Sequence, residues 1–192
     1  MKTVLFVPGY QEDLESRDYK STISAIKERG YDVKFVPINW KRTTIDQWVD
    51  ELEAVYNKCD PKQTIIAGFS FGAITAFVAS AKRNPFELWL FSLSPYFEED
   101  VSSPNMKKSW LNIIGHRRAT AFSKLNFKEL STNINCKVLI FVGEIEMNKW
   151  PDMKERNNIA HKLLNNNKLT IVAAVGHDVA NPKYIEAIKL TI

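Results

Sequence analysis

Six short runs rich in β-branched and aromatic residues recur along the 192-residue chain, separated by amphipathic stretches. The runs are Thr3–Val7, Val33–Ile38, Thr64–Ala67, Leu88–Ser92, Lys137–Val142 and Leu169–Ala173. Most are apolar on consecutive residues rather than on alternate ones, so both faces of each strand must be covered. Between them lie helical patterns. Leu14 to Arg29 places Tyr19, Ile23 and Ile26 on one face, with Gly30 just beyond. Thr44-Ile45-Asp46-Gln47 fits a capping box that opens a helix carrying Trp48, Val49, Leu52, Val55 and Tyr56. Further helices are expected over Phe71–Lys82, over Asp152–Leu164 and after Asn181-Pro182. Alternation of this kind predicts an α/β three-layer sandwich: about six mainly parallel strands with helices on both faces.

The rhythm breaks between about residues 95 and 135, where no strand pattern occurs. Met106, Trp110, Ile113 and Ile114 fall at helical spacing there, which predicts a short helical cap inserted into one domain spanning residues 1–192. The basicity of the chain is concentrated in this segment. Between Val101 and Leu130, Lys107, Lys108, Arg117, Arg118, Lys124 and Lys128 face one anion, Glu129, so the segment alone exceeds the net charge of +4. A nucleic-acid binder spreads its cations over a face and carries a recognition motif, and neither is present. No apolar run approaches the roughly 20 residues of a membrane span, and Met1-Lys2-Thr3 leads to Pro8-Gly9 without a signal-peptide core. Cys59 and Cys136 fit no metal or redox spacing, so two reduced thiols in the cytoplasm are expected.

Glycine is scarce, at 7 of 192 residues, and its placement carries the functional signal. Gly9, Gly68, Gly72, Gly143 and Gly176 all fall beside the ends of predicted strands, where an open α/β sheet places its site. Gly68-Phe69-Ser70-Phe71-Gly72 matches G-x-S-x-G between a strand and a helix. In that context a sharp turn lifts the serine hydroxyl out at the strand's carboxyl end. A serine capping a tight turn is the plainer alternative. A serine nucleophile needs a base. His116 lies among cations and His161 in a polar helix, both read as solvated. His177 follows the last strand, at the same edge as Ser70. The base needs a carboxylate. Glu144 and Glu146 follow the strand Lys137–Val142, and Asp152 is a weaker third candidate. The order serine, acid, histidine is the one expected of this arrangement. Charge developing on a substrate carbonyl oxygen would be met by the backbone N–H groups of Phe71 and Tyr10.

These segments together resemble the α/β-hydrolase family, over almost the full length. Val7-Pro8-Gly9-Tyr10 resembles its oxyanion segment, with Pro8 where histidine is commoner. Glu28 to Val33 resembles the turn into the next strand, and Gly68–Gly72 the nucleophile elbow. Gly143-Glu144-Ile145-Glu146 resembles the G-x-x-D acid turn, and Gly176-His177-Asp178 the closing G-H turn. The resemblance places the acid at Glu146, a glutamate where aspartate is commoner. It implies a minimal version of the fold, lacking the first antiparallel strands of larger members, and a serine esterase that needs no cofactor or metal. Phe69, Phe71, Tyr10, Trp110 and Phe122 are expected to line an apolar pocket for a small acyl substrate. Acyl transfer to another acceptor, thioester or amide cleavage, and a catalytically silent binding protein use the same framework.

Overall fold

A computed structural model describes residues 1–102 and 114–192. Six strands, β1 (Thr3–Val7), β2 (Asp32–Phe35), β3 (Thr64–Phe69), β4 (Glu87–Phe91), β5 (Lys137–Gly143) and β6 (Asn167–Val172), form one sheet in the order β2-β1-β3-β4-β5-β6. Every pairing is parallel. The longer connecting helices are α1 (Tyr19–Glu28), α2 (Ile45–Tyr56) and α3 (Phe71–Arg83). Among the described residues, short helices α4 (Glu98–Val101), α5 (His116–Phe122) and α6 (Phe127–Ser131) follow β4. Then come α7 (Glu144–Lys149), α8 (Pro151–Leu163) and α9 (Pro182–Thr191).

Strand alternation divides the core into two layers. Val4, Phe6, Trp89 and Phe141 point to the face covered by α1 and α9, where they meet Tyr19, Ile26, Tyr184 and Ile188. Leu5, Val7, Leu90 and Ile140 point to the opposite face and pack with Trp48, Leu52, Phe77 and Ala160 of α2, α3 and α8. All six residues of β3 are buried, as a central parallel strand requires. β6 departs from that expectation: it is an edge strand, and Ile171 is half exposed.

Element ends move from their predicted positions for local chemical reasons. α1 starts at Tyr19 rather than Leu14, because the Asp13 carboxylate accepts the Glu15 and Ser16 N–H groups in a turn. Asp18 then caps the helix by accepting the Ser21 N–H. β2 stops at Phe35, two residues before Pro37, which has no N–H to add to a ladder. α7, six residues long and just ahead of Pro151, buries Glu146 and Met147 and is too brief for periodicity to register.

The segment after β4 forms no strand among the described residues and is anchored through aromatic contacts. Phe122 packs on Trp48 at 5.9 Å between ring centroids, and Phe127 stacks on Phe77 at 4.5 Å. Met106, Trp110 and Ile113 lie outside the described residues, and Ile114 is buried. An ion pair, fully buried at its arginine and mostly so at its carboxylate, fixes the start of the segment to α8. Arg156, 1% exposed, donates to both carboxylate oxygens of Asp100 at 2.6 and 2.9 Å, with its guanidinium over the rings of Phe97 and Phe127. Burial raises the Asp100 pKa, and Arg156 partly opposes that shift.

The chain runs outward from β1 to β2, then returns to β3 on the other side of β1. The loops after β1 and β3 therefore diverge, leaving a crevice at the carboxyl edge.

Arg156→Met should cost up to about 3–5 kcal/mol of stability at neutral pH, since it strands a mostly buried carboxylate. A carboxyl whose folded pKa is raised destabilises above its unfolded pKa, and that penalty fades as pH falls through the folded value. Denaturant melts of the two proteins should thus converge as pH is lowered toward the carboxylate range. A constant gap from pH 7 to 4 would contradict this assignment.

Candidate active site

The ladder of β3 runs one residue past the strand: Ser70 N–H donates to Phe91 O at 2.9 Å, and α3 begins at the next residue. Between those commitments Ser70 has φ 58° and ψ −116°, a region that costs an L residue on the order of 1–3 kcal/mol. The two glycines are required by close approach. A Cβ at Gly72 would lie 2.3 Å from the carbonyl oxygens of Val7 and Pro8, and one at Gly68 would lie 2.1 Å from Gly72 O. At Gly176 a Cβ would meet open space, so that glycine is not demanded by packing.

The turn presents Ser70 Oγ at 2.9 Å from His177 Nε2. His177 Nδ1 lies 2.5 Å from Glu146 Oε2. The imidazole packs against Phe69, tilted by 36° at 4.7 Å between centroids, and meets Trp150 edge-on at 5.8 Å. Glu146 is 1% exposed, and its other oxygen accepts the Gly143 N–H and the Ser92 hydroxyl, each at 2.6 Å. Glu146 thus folds back on the first turn of its own helix, where N–H donors stabilise a carboxylate. Glu144 turns the other way, to the Ala174 N–H at 2.9 Å. Asp152 lies on the first turn of α8.

Ser92 has φ 51°, and its hydroxyl also contacts Tyr184 Oη at 3.1 Å. Tyr184 in turn donates to Phe141 O at 3.0 Å. Burial, with Glu146 close by, holds the Tyr184 hydroxyl well above its ordinary pKa, so it stays neutral. Neither Ser92 nor Tyr184 was singled out from sequence. Their only signal is a polar residue where a strand ends and a tyrosine on an otherwise apolar helix face.

The loop after β1 brings the Tyr10 N–H to the same edge, and no described group accepts a hydrogen bond from it or from Phe71 N–H. The neighbouring Gly9 N–H is already used, donating to Tyr19 Oη at 3.0 Å. Tyr19 donates to Glu12, and Glu12 holds the Arg17 guanidinium at 2.7 Å. Arg17 donates to His177 O at 3.1 Å. One polar chain therefore ties the loop after β1 to the loop bearing His177. Burial and the adjacent Glu12 push the Tyr19 hydroxyl far up, which keeps it a donor.

A cavity of about 210 Å³ opens on Ser70 and His177 and is lined by Phe71, Ser94, Tyr96, Trp150 and Met153. Phe69 and Phe122, expected as lining, stand behind it. Phe69 supports the imidazole, and Phe122 backs Phe71 and Tyr96 at 5.6 and 5.5 Å. Tyr10 packs against Phe71 at 5.1 Å. Trp110 lies outside the described residues. Tyr96, Trp150 and Met153 escaped sequence reading because pocket walls have no periodicity of their own. Burial keeps the Tyr96 hydroxyl protonated. Surface hollows of about 360 and 450 Å³, along α1 and beside the loop after β2, hold none of these groups. Among the described residues, no group of three or more His, Cys, Asp or Glu is placed to hold a metal ion. No described helix is long and apolar enough to cross a membrane.

No protein-family model matches the chain, and no curated protein matches it by sequence. Solved structures do match it in fold. Est1E from Butyrivibrio proteoclasticus, solved with ferulic acid bound, superposes with a TM-score of 0.80 at 16% identity, covering 99% of this chain and 86% of that one. MenH from S. aureus gives 0.68 at 17% identity over 98% and 91% of the two chains. The mouse alpha/beta hydrolase domain-containing protein 10 gives 0.70 at 13% identity over 98% and 87%. The chain has the α/β-hydrolase fold, and its structural neighbours include esterases and other hydrolases.

Tyr19→Phe removes the acceptor of the Gly9 N–H and should cost about 1–3 kcal/mol. Hydrogen exchange at the Gly9 amide should accelerate markedly, while amides in the centre of β3 keep their protection relative to global stability. Unchanged exchange at Gly9 would show that the loop is held by other means.

Proposed function

We propose that the protein is a serine hydrolase that cleaves carboxylic esters of small substrates through an acyl-enzyme. The observation that carries this reading is the unbroken line Ser70 Oγ, His177 and Glu146, with contacts of 2.9 and 2.5 Å. In that order an imidazole takes a hydroxyl proton while the carboxylate fixes its tautomer and stabilises the imidazolium.

Ser70 Oγ attacks the ester carbonyl carbon as His177 Nε2 takes its proton. The carbonyl oxygen becomes an oxyanion, facing the N–H groups of Phe71 and Tyr10. Each such donor contributes roughly 3–4 kcal/mol at the transition state. The tetrahedral intermediate collapses, the ester C–O bond breaks, and His177 returns the proton to the departing alcohol. Water then gives a proton to His177 and attacks the acyl carbon; the bond to Ser70 Oγ breaks as His177 returns that proton to it, freeing the acid and restoring the neutral imidazole. Phe71, Tyr96, Trp150 and Met153 make the wall apolar, which suits a short aliphatic or an aromatic acyl group. The segment after β4 supplies Tyr96 to that wall and Phe122 behind it, in keeping with a small cap within one domain. Two free cysteines, Cys59 and Cys136, accord with a cytoplasmic location.

Purified protein should hydrolyse p-nitrophenyl acetate and butyrate faster than the palmitate ester. Ser70→Ala should lower kcat by about four to six orders of magnitude and Glu146→Gln by about four, on the precedent of other triads. Hydrolysis by Ser70→Ala at the wild-type rate would refute the assignment. Met153→Trp, which fills the cavity, should depress kcat/KM for butyrate more than for acetate.

A further inference from the structure

We propose that Ser94 is a further catalytic residue: its hydroxyl donates to Ser70 Oγ and holds the charge that develops there as His177 removes the proton. This rests on the hydrolase reading above.

Ser94 Oγ lies 3.1 Å from Ser70 Oγ and is buried on the wall of the same cavity. Counting protons gives the direction of the bond. A carboxylate only accepts, so with the imidazole neutral the proton on His177 is at Nδ1, facing Glu146 Oε2 at 2.5 Å. Nε2 is then bare and accepts the Ser70 proton across 2.9 Å. Ser70 has no second proton, so the donor in its contact with Ser94 is Ser94.

That polarity matters for the reaction. A hydrogen bond to a charged oxygen is about twice as strong as one to a neutral oxygen. The Ser94 bond therefore strengthens while loss of the Ser70 proton runs ahead of bonding to the carbonyl carbon, before the charge moves on to the carbonyl oxygen, and an interaction that strengthens toward the transition state raises the rate. The proton itself still passes to His177 and on to the departing alcohol, so Ser94 gains and loses nothing over the cycle.

The backbone that carries this hydroxyl is also braced. Asn157, fully buried on α8, donates to Leu93 O at 3.2 Å and to Met153 O at 2.8 Å, bracing the backbone just ahead of Ser94. Two residues earlier, Ser92 holds Glu146 at 2.6 Å. The end of β4 thus supplies a hydroxyl to each end of the proton line, with Leu93 between them buried in the core.

The test is the second-order rate at which a fluorophosphonate labels Ser70, a reaction that forms the Oγ–P bond, expels fluoride and passes the proton to His177. Ser94→Ala should label about five- to tenfold more slowly than wild type, and Ser94→Thr, which keeps a hydroxyl, should recover most of the rate. With a short ester the loss should appear in kcat rather than in KM. Labelling of Ser94→Ala at the wild-type rate would overturn the proposal. So would Ser94→Thr remaining as slow as Ser94→Ala, which would assign the loss to packing. A wild-type protein that takes no label overturns the hydrolase reading itself, and this inference with it.

Discussion

The turn from β3 into α3 holds Ser70 in a backbone region that L residues avoid, and the surrounding chain is arranged to let that turn exist. Its ladder bond to Phe91 O fixes one side, and the start of α3 fixes the other. The turn also demands that α3 approach the end of β1 so closely that only a hydrogen fits at Gly72. That approach brings the Phe71 N–H and the loop carrying Tyr10 to one edge. The sheet order then does the rest. Because the chain reverses direction between β1 and β3, the loops after these strands part above Ser70 and leave room for a cavity.

Burial of Glu146 is the second demand on the fold. A carboxylate at 1% exposure requires donors for both oxygens, and it has three: His177, Gly143 N–H and Ser92. Two of them are backed by further structure, Ser92 through Tyr184 and His177 through the Arg17, Glu12 and Tyr19 chain. Helices α1 and α9 therefore do more than cover one face of the sheet. Each sends a tyrosine hydroxyl from the core toward the loops at the carboxyl edge.

Much of this was legible in the sequence, and unevenly so. The six strands and their parallel arrangement followed from continuous apolar runs, because burial on both faces leaves no polar positions to blur the signal. Ser70 and His177 could be placed at one edge because each follows a strand, and parallel strands end together. The resemblance then favoured Glu146 over Glu144, and the structure turns Glu146 toward His177 and Glu144 away. The supporting shell was not legible. Ser92, Ser94 and Tyr184 act through contacts across 24 to 92 residues of sequence, and no local pattern marks such pairs. Phe69 and Phe122 were expected in the pocket on aromatic character alone. Direction decides otherwise: alternation along β3 turns Phe69 to the α1 face, and Phe122 fills the space behind Phe71.

On the proposed mechanism, Ser70 becomes covalently acylated during turnover. The most direct measurement of that step is the intact mass of the protein quenched in acid within the first turnovers of p-nitrophenyl acetate, followed by peptide mapping. One added acetyl group is expected, on the peptide containing Ser70, formed with a burst of nitrophenol and absent from Ser70→Ala. Ester hydrolysis with no burst and no covalent adduct, or an adduct at another residue, would contradict it.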